Sequence, residues 1–130
     1  MRWFYLTAND YQKKALRTEV SFPLMTATMA LAKDGRNKTR LLEGLMGLSG
    51  EAGEAIDIFK KCIFQGHSFD EEREHLAKEL GDVAWYLALS ASALGYSLDD
   101  ILKLNLKKLE ERYPNGFEVT KSLNRPVTDV

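Results

Sequence analysis

Two pairs of acidic residues stand at a spacing that suits metal binding. Glu51 and Glu54 lie in LSGEAGEAIDIFKK, and Glu79 and Asp82 lie in HLAKELGDVAWYL. Residues three apart share one face of a helix, so the carboxylates of each pair point in similar directions. In helical projection both pairs border an apolar stripe, which on the first helix includes Ile56 and Ile63, and do not lie on the far, solvated side. The pattern predicts two helices that each contribute two inward-facing acids.

Four carboxylates in one place need a counter-charge, because they repel and raise one another's pKa. A divalent cation would supply it. Oxygen ligands favour Mg²⁺, with Mn²⁺ as a substitute, whereas zinc would favour Cys or His ligands. The sequence therefore predicts a Mg²⁺ site formed by Glu51, Glu54, Glu79 and Asp82.

A di-iron site is the main rival for these helices. Glu72 and His75 form one E-x-x-H unit, but di-iron bundles are built from two such units with two further glutamates. Phe64 stands three residues before His67, so the second unit is missing. We therefore interpret His75 as an ordinary residue of a first helical turn. A single E-x-x-E would indicate a solvated helix face, so the metal hypothesis depends on the two acidic pairs together.

Cationic and hydrogen-bonding side chains near the end of the chain are candidates for binding an anionic ligand. Asn105, Lys108 and Arg112 project to one margin of the last predicted helix. Beside a metal site, such a stripe would act as a clamp for phosphate oxygens. Lys61, on the Glu54 side of its helix, and Tyr86, on the carboxylate face, are further candidates for substrate binding.

The apolar periodicity predicts an all-α protein of long antiparallel helices joined by short loops. The first helix is expected after a cap at Thr7, Asn9 or Asp10, and the others at about 24–33, 39–65, 69–94 and 98–112. The expected helix stops are Gly66 and Gly95, and Ser68 is the expected cap between them. We expect a single domain, with an N-terminal helical segment at 1–38, a metal-binding core at 39–112 and an irregular tail at 113–130. Aromatic residues near the start, including Tyr11, are assigned to packing.

Four glycines recur every three residues in the longest predicted helix, at Gly44, Gly47, Gly50 and Gly53. Each costs up to about 1 kcal/mol of helix propensity relative to Ala. We therefore expect a neighbouring helix or a ligand to approach the backbone closely at these positions.

Composition limits the functional classes. The 130 residues carry a formal net charge of −1, so a basic surface for a nucleic-acid polymer is not expected. The single cysteine, Cys62, cannot form an internal disulfide. No apolar run reaches the roughly 20 residues that span a bilayer, and no signal peptide is recognisable. These features favour a soluble, cytoplasmic protein without membrane partners.

Taken together, the motifs resemble the MazG-like all-α nucleotide pyrophosphohydrolases. The resemblance covers most of the chain: YQKKALRT, GLMGLSGEAGEAIDIFKK, KELGDVAWYLALSASALGYSLDDI and NLKKLEERYPNGF occur in order. It implies a reaction in which a nucleoside or deoxynucleoside triphosphate yields the monophosphate and pyrophosphate, often to remove non-standard or excess nucleotides. It also implies a fold of the four-helix-bundle type that is completed by oligomerisation, as a homodimer or homotetramer.

The resemblance also assigns roles to residues. The E-x-x-E and E-x-x-D pairs would hold Mg²⁺, and Tyr86 would contact the nucleotide sugar. The closing N-x-x-K-x-x-x-R-Y segment would bind the substrate's phosphates through Asn105, Lys108, Arg112 and Tyr113.

One position departs from the family pattern. Many members have two adjacent glutamates at the start of the first motif, and the leading one is proposed to activate water. Gly50 stands there in this chain. The nucleophile would then come from a metal-bound water of lowered pKa, or from a water that Glu51 or Glu54 deprotonates as the base. A catalytically silent module that binds nucleotides or a partner protein is the alternative, and a purely structural bundle would bind neither nucleotide nor metal.

Overall fold

The computed structural model describes residues 6–20 and 34–124, which are helical for most of their length. In these two ranges five α-helices follow one another, with one 3₁₀ turn at Leu16–Thr18: α1 (Ala8–Ala15), α2 (Gly35–Phe64), α3 (Phe69–Ala93), α4 (Leu98–Arg112) and α5 (Val119–Leu123). Within these ranges there is no β-strand, only an isolated bridge between Pro114 and Gly116. The all-α expectation is confirmed.

Helix α1 begins at the cap that the sequence offered first. The Thr7 hydroxyl accepts a hydrogen bond from the backbone N–H of Asp10 at 3.0 Å, and the Asp10 carboxylate accepts from the N–H of Thr7 at 3.3 Å. This reciprocal capping box satisfies two backbone donors at the helix start. The helix expected at 24–33 lies outside the described residues.

The loop between α2 and α3 also follows the sequence signals. Gly66 has a positive φ of 76°, which ends α2 and which glycine adopts without steric cost. The Ser68 hydroxyl then accepts from the N–H of Glu71 at 3.4 Å and caps α3. Gly95, with φ of 79°, follows the end of α3 in the same way. These expected helix boundaries are confirmed.

Two boundaries differ from expectation. Helix α2 begins at Gly35, four residues earlier than predicted, after Asp34 with φ of 64°. The Asn37 side chain donates to the Asp34 carboxylate at 2.8 Å and supports this start. The tail expected to be irregular contains α5, because residues 119–123 form one hydrogen-bonded turn that is too short for apolar periodicity to reveal.

Helices α2 and α3 form an antiparallel hairpin held close by glycine. A Cβ on Gly44 would lie 2.3 Å from the Ser90 hydroxyl, and one on Gly47 would lie 2.2 Å from the Tyr86 ring. Only a residue without a side chain permits this approach. The predicted close contact is confirmed for these two positions. At Gly50 and Gly53 an added Cβ would meet no described atom within 4 Å.

The close approach at Gly44 and Gly47 decides which face of α2 is covered. Ile58, on the same line of the helix, is 7% exposed, whereas Ile56 and Ile63 are 69% and 58% exposed. The apolar stripe predicted from periodicity included Ile56 and Ile63, and the prediction that these two side chains are covered is wrong. The reason is that the glycines select the contact line, so part of the apolar surface of the hairpin stays uncovered.

Helix α1 is attached to the second half of α3. The buried Gln12 side chain donates to the carbonyls of Ala88 and Tyr96 at 3.2 and 3.3 Å and accepts from the N–H of Leu98 at 3.0 Å. The Trp85 indole N–H donates to the Ala15 carbonyl at 3.0 Å. These bonds fix α1 beside the carboxyl half of α3.

The chain divides into two compact units, Met1–Leu98 and Asp99–Val130. In the second unit, the N–H of Gly116 donates to the Tyr113 carbonyl at 3.0 Å, and the Tyr113 and Phe117 rings pack at 5.3 Å between centroids. The single-domain organisation therefore stays a prediction. In the described part of the chain, no helix is both long and apolar enough to cross a membrane.

Candidate metal centre

Three of the four predicted acids converge at the middle of the hairpin. Glu51 on α2 and Glu79 and Asp82 on α3 each offer a carboxylate oxygen, and these three oxygens lie within 4.8 Å of one another. Glu79 is 8% exposed, Glu51 is half-buried and Asp82 is exposed. The spacing of one helical turn on α3 and the antiparallel pairing with α2 bring the groups together.

Glu54 lies outside this group of three and is exposed. The charge of Glu54 still acts on Glu51. Partial burial, and then the neighbouring carboxylates of Glu54, Asp82 and Glu79, raise the pKa of Glu51. The acids of both pairs therefore interact, although only three of them form the cluster.

This arrangement fits a hard divalent cation. The donors are all carboxylate oxygens, which Mg²⁺ and Mn²⁺ prefer, and burial followed by repulsion from the neighbouring acids raises the pKa of Glu51. A cation between Glu51, Glu79 and Asp82 would relieve that repulsion. Asp82 on the exposed side leaves the site open toward solvent, where a ligand could reach the ion.

Two residues near the cluster were not selected from the sequence for this role. The His75 Nε2 atom lies 3.1 Å from Oε1 of Glu79, and the Tyr11 hydroxyl donates to the Gly81 carbonyl at 3.3 Å. Burial, and then the charge of Asp82, raise the pKa of Tyr11. A signal for His75 was present, since it stands four residues before Glu79 on the same helix face. Tyr11 had no local signal, because its position depends on the docking of α1.

The predicted substrate-binding residues of the first unit are engaged in the hairpin. The Lys61 ammonium lies 2.7 Å from the Asp57 carboxylate, and Lys60 pairs with the same acid. Hydrogen bonds from these two lysines lower the pKa of Asp57 to about 2. The Tyr86 ring packs against Gly47 and edge-on against Trp85, at 5.0 Å between centroids. Their contact with a substrate stays a prediction.

The remaining predicted residues belong to α4 and the turn after it, in the second unit. Asn105 is exposed, and Lys108, Arg112 and Tyr113 are partly buried. The Arg112 guanidinium lies 5.9 Å from the centre of the Tyr113 ring, a cation–π distance. Phosphate binding by these four residues also stays a prediction.

Comparison with known proteins decides the family. The family described as "MazG nucleotide pyrophosphohydrolase domain" matches residues 39–117. The chain belongs to the MazG family. This match includes all four predicted acids and the N-x-x-K-x-x-x-R-Y segment, and it places the chain in a hydrolase family that acts on nucleoside triphosphates. MazG proteins generally depend on a divalent metal, which agrees with the acidic cluster.

Two curated relatives share the MazG segment. "Gene 37 protein" of Mycobacterium phage L5 is 42% identical over 81 residues, which cover 58% of this chain and 71% of that protein. "Uncharacterized protein YvdC" of Bacillus subtilis (strain 168) is 29% identical over 76 residues, covering 55% of this chain and 72% of that protein. No solved structure matches the chain significantly.

Proposed function

We propose that this protein is a Mg²⁺-dependent pyrophosphohydrolase that converts a nucleoside or deoxynucleoside triphosphate to the monophosphate and pyrophosphate. The observation that carries the proposal is the convergence of Glu51, Glu79 and Asp82 within a MazG family segment. Removal of non-standard or excess nucleotides in the cytoplasm is the role that the family resemblance favours. Mn²⁺ is the expected substitute for Mg²⁺.

The chain's own residues would perform three tasks. Glu51, Glu79 and Asp82 would hold the cation, which, when bound, supplies positive charge against phosphate oxygens and lowers the pKa of water. Water would attack the α-phosphorus, the bond from that phosphorus to the bridging oxygen would break, and pyrophosphate would leave. The family motif supports Lys108 and Arg112 as ligands of the phosphate oxygens.

Glu54 is the residue we propose as the proton acceptor. It lies outside the three-carboxylate group, so its oxygens are not committed to the cation, yet its charge acts on Glu51. Its exposed side chain would take the proton that the attacking water releases. In this chain Glu54 would thereby replace the glutamate that many relatives carry at the position of Gly50.

The test separates binding from chemistry. Purified protein would be incubated with Mg²⁺ and each common nucleoside and deoxynucleoside triphosphate, and pyrophosphate would be distinguished from orthophosphate. Glu54→Gln should bind Mn²⁺ like the wild type and lose roughly a hundredfold or more in pyrophosphate release. Unchanged turnover would remove Glu54 from the mechanism, and orthophosphate with diphosphate would show that the β–γ bond is cut instead.

The silent binding module remains the second candidate, because Gly50 stands where a catalytic glutamate is common. Such a module would bind nucleotide in the presence of metal without forming product. An added Cβ at Gly50 meets no described atom within 4 Å, so Gly50→Glu can be introduced without a steric obstacle near the backbone. Product formed by this variant alone would identify the wild type as a binding protein.

We also propose that a second copy of the chain covers the open apolar face of α2. Ile56, Ile63 and Phe64 are 69%, 58% and 80% exposed there, which is unusual for large aliphatic and aromatic side chains on one helix. A homodimer would complete a bundle of four long helices, and two dimers would form the tetramer. Light scattering at micromolar concentration tests this, and a monomer would contradict it.

A further inference from the structure

The imidazole of His75 lies between Glu79 of the acidic cluster and Glu72, an acid of α3 outside the cluster. The Nε2 atom of His75 lies 3.1 Å from Oε1 of Glu79, and its Nδ1 atom lies 3.1 Å from Oε2 of Glu72. Ionised carboxylate oxygens only accept hydrogen bonds, so either ring nitrogen binds its carboxylate as a donor only when it carries a proton. The three residues occupy successive turns of one helix face, at spacings of three and four.

A second histidine lies on the other side of Glu72. Nδ1 of His67 lies 3.3 Å from Oε1 of Glu72, so each carboxylate oxygen of Glu72 lies beside a histidine. His67 belongs to the loop between α2 and α3, next to the cap at Ser68. A continuous chain of contacts therefore runs from this loop through Glu72 and His75 to Glu79.

Glu79 is the acid of the cluster that most needs such support. Its side chain is 10% exposed, whereas that of Glu72 is 26% exposed. A buried carboxylate beside two other acids is poorly held unless a donor binds one of its oxygens. The contact between Nε2 of His75 and Oε1 restricts the rotation of the Glu79 carboxylate beside Glu51 and Asp82.

We propose that His75 is a positioning residue, which holds the Glu79 carboxylate in the orientation required for metal binding while Glu72 holds the imidazole. His75 does not touch the substrate or the cation in this role. The contact with Glu72 explains why an exposed histidine can keep one orientation. Outer partners of this kind typically contribute a factor of about 10 to 100 in metal affinity. The inference rests on the metal site of the proposed function.

The experiment measures Mn²⁺ binding without nucleotide, by electron paramagnetic resonance of the free ion. His75→Ala should weaken Mn²⁺ binding about tenfold or more, with the thermal midpoint of the metal-free protein unchanged. His75→Gln should restore part of the affinity, because its amide N–H can donate to Glu79. Wild-type affinity in His75→Ala would overturn the proposal even if the enzyme releases pyrophosphate normally.

His67→Ala is the matched control, because it removes the other histidine from Glu72 and leaves the contact between His75 and Glu79 in place. We expect it to change the Mn²⁺ affinity less than about threefold, well below the effect expected at His75. An equal loss in both variants would show a general effect of charge and overturn the positioning role. Electron spin-echo modulation from an imidazole nitrogen bound to Mn²⁺ would also overturn it, by making His75 a direct ligand.

Wild-type protein separates this inference from the proposed function. Absence of Mn²⁺ binding by the wild type would contradict the metal site itself. Binding of Mn²⁺ without pyrophosphate release, with a tenfold loss in His75→Ala, would support the positioning role and contradict only the reaction.

Discussion

In one half of the α2–α3 hairpin, glycines of α2 lie against side chains of α3, and in the other half the glycines of α2 are exposed. Gly44 and Gly47 face Ser90 and Tyr86 so closely that no Cβ fits. Gly50 and Gly53, six residues further along the same helix, face no described atom within 4 Å. We refer to the region of the first pair as the packed half and to that of the second as the open half.

The acid cluster lies immediately beyond the packed half. Leu89, Ala88 and Ala91 are almost fully buried beside the packed half, whereas Glu54 and Asp82 are exposed in the open half. A tight contact in one half fixes the separation of the helices, and that separation sets the distance between carboxylates in the other. Substitutions that add volume in the packed half should therefore lower stability, and substitutions of the acids in the open half should change chemistry.

The largest effect is expected in the open half. Asp82→Asn removes one of the three clustered carboxylates, and the loss of several kcal/mol of charge stabilisation should lower pyrophosphate release by about a thousandfold. The thermal midpoint of the metal-free protein should not fall, because repulsion with Glu51 decreases.

Glu74→Gln is the matched control for Asp82→Asn. Glu74 lies on the same helix, is 82% exposed and pairs with Lys78 at 2.9 Å, away from the cluster. Pyrophosphate release by Glu74→Gln should remain at the wild-type level. If both variants lost activity equally, the cluster would have no special role.

A smaller effect is expected in the packed half. Gly47→Ala places a Cβ 2.2 Å from the Tyr86 ring, so the ring or the helix must move. Overpacking of this kind should lower the free energy of unfolding by about 1–3 kcal/mol. Chemical denaturation monitored by circular dichroism measures it, and an unchanged midpoint would mean that the helices separate without cost.

The smallest effect, with the opposite sign, is expected at Gly53. Gly53→Ala meets no described atom within 4 Å and removes a poor helix former from the middle of α2. The free energy of unfolding should rise by up to about 1 kcal/mol, measured in the same denaturation experiment. A loss of stability comparable with that of Gly47→Ala would remove the distinction between the two halves.

The local signals of the sequence were sufficient for the helix ends. Thr7, Gly66, Ser68 and Gly95 act as caps and stops where expected, because capping depends on hydrogen bonds and backbone angles within a few residues. The placement of each acid pair is also decided within a few residues, because E-x-x-E and E-x-x-D place two carboxylates on one face of one helix. The resemblance to MazG proteins depended on the order of these motifs along the chain, and the family match confirms that resemblance.

Only the tertiary structure decided which groups meet between helices. The separation of α2 and α3 depends on the fit of Tyr86 against Gly47, and it leaves Glu54 outside the group of three acids. It also covers Ile58 and exposes Ile56, although both are isoleucines on the same helix. The position of Tyr11 beside Gly81 depends on the docking of α1, across seventy residues of sequence. Periodicity fixes the faces of each helix, but the relative rotation of two helices is set by side-chain packing at their contact.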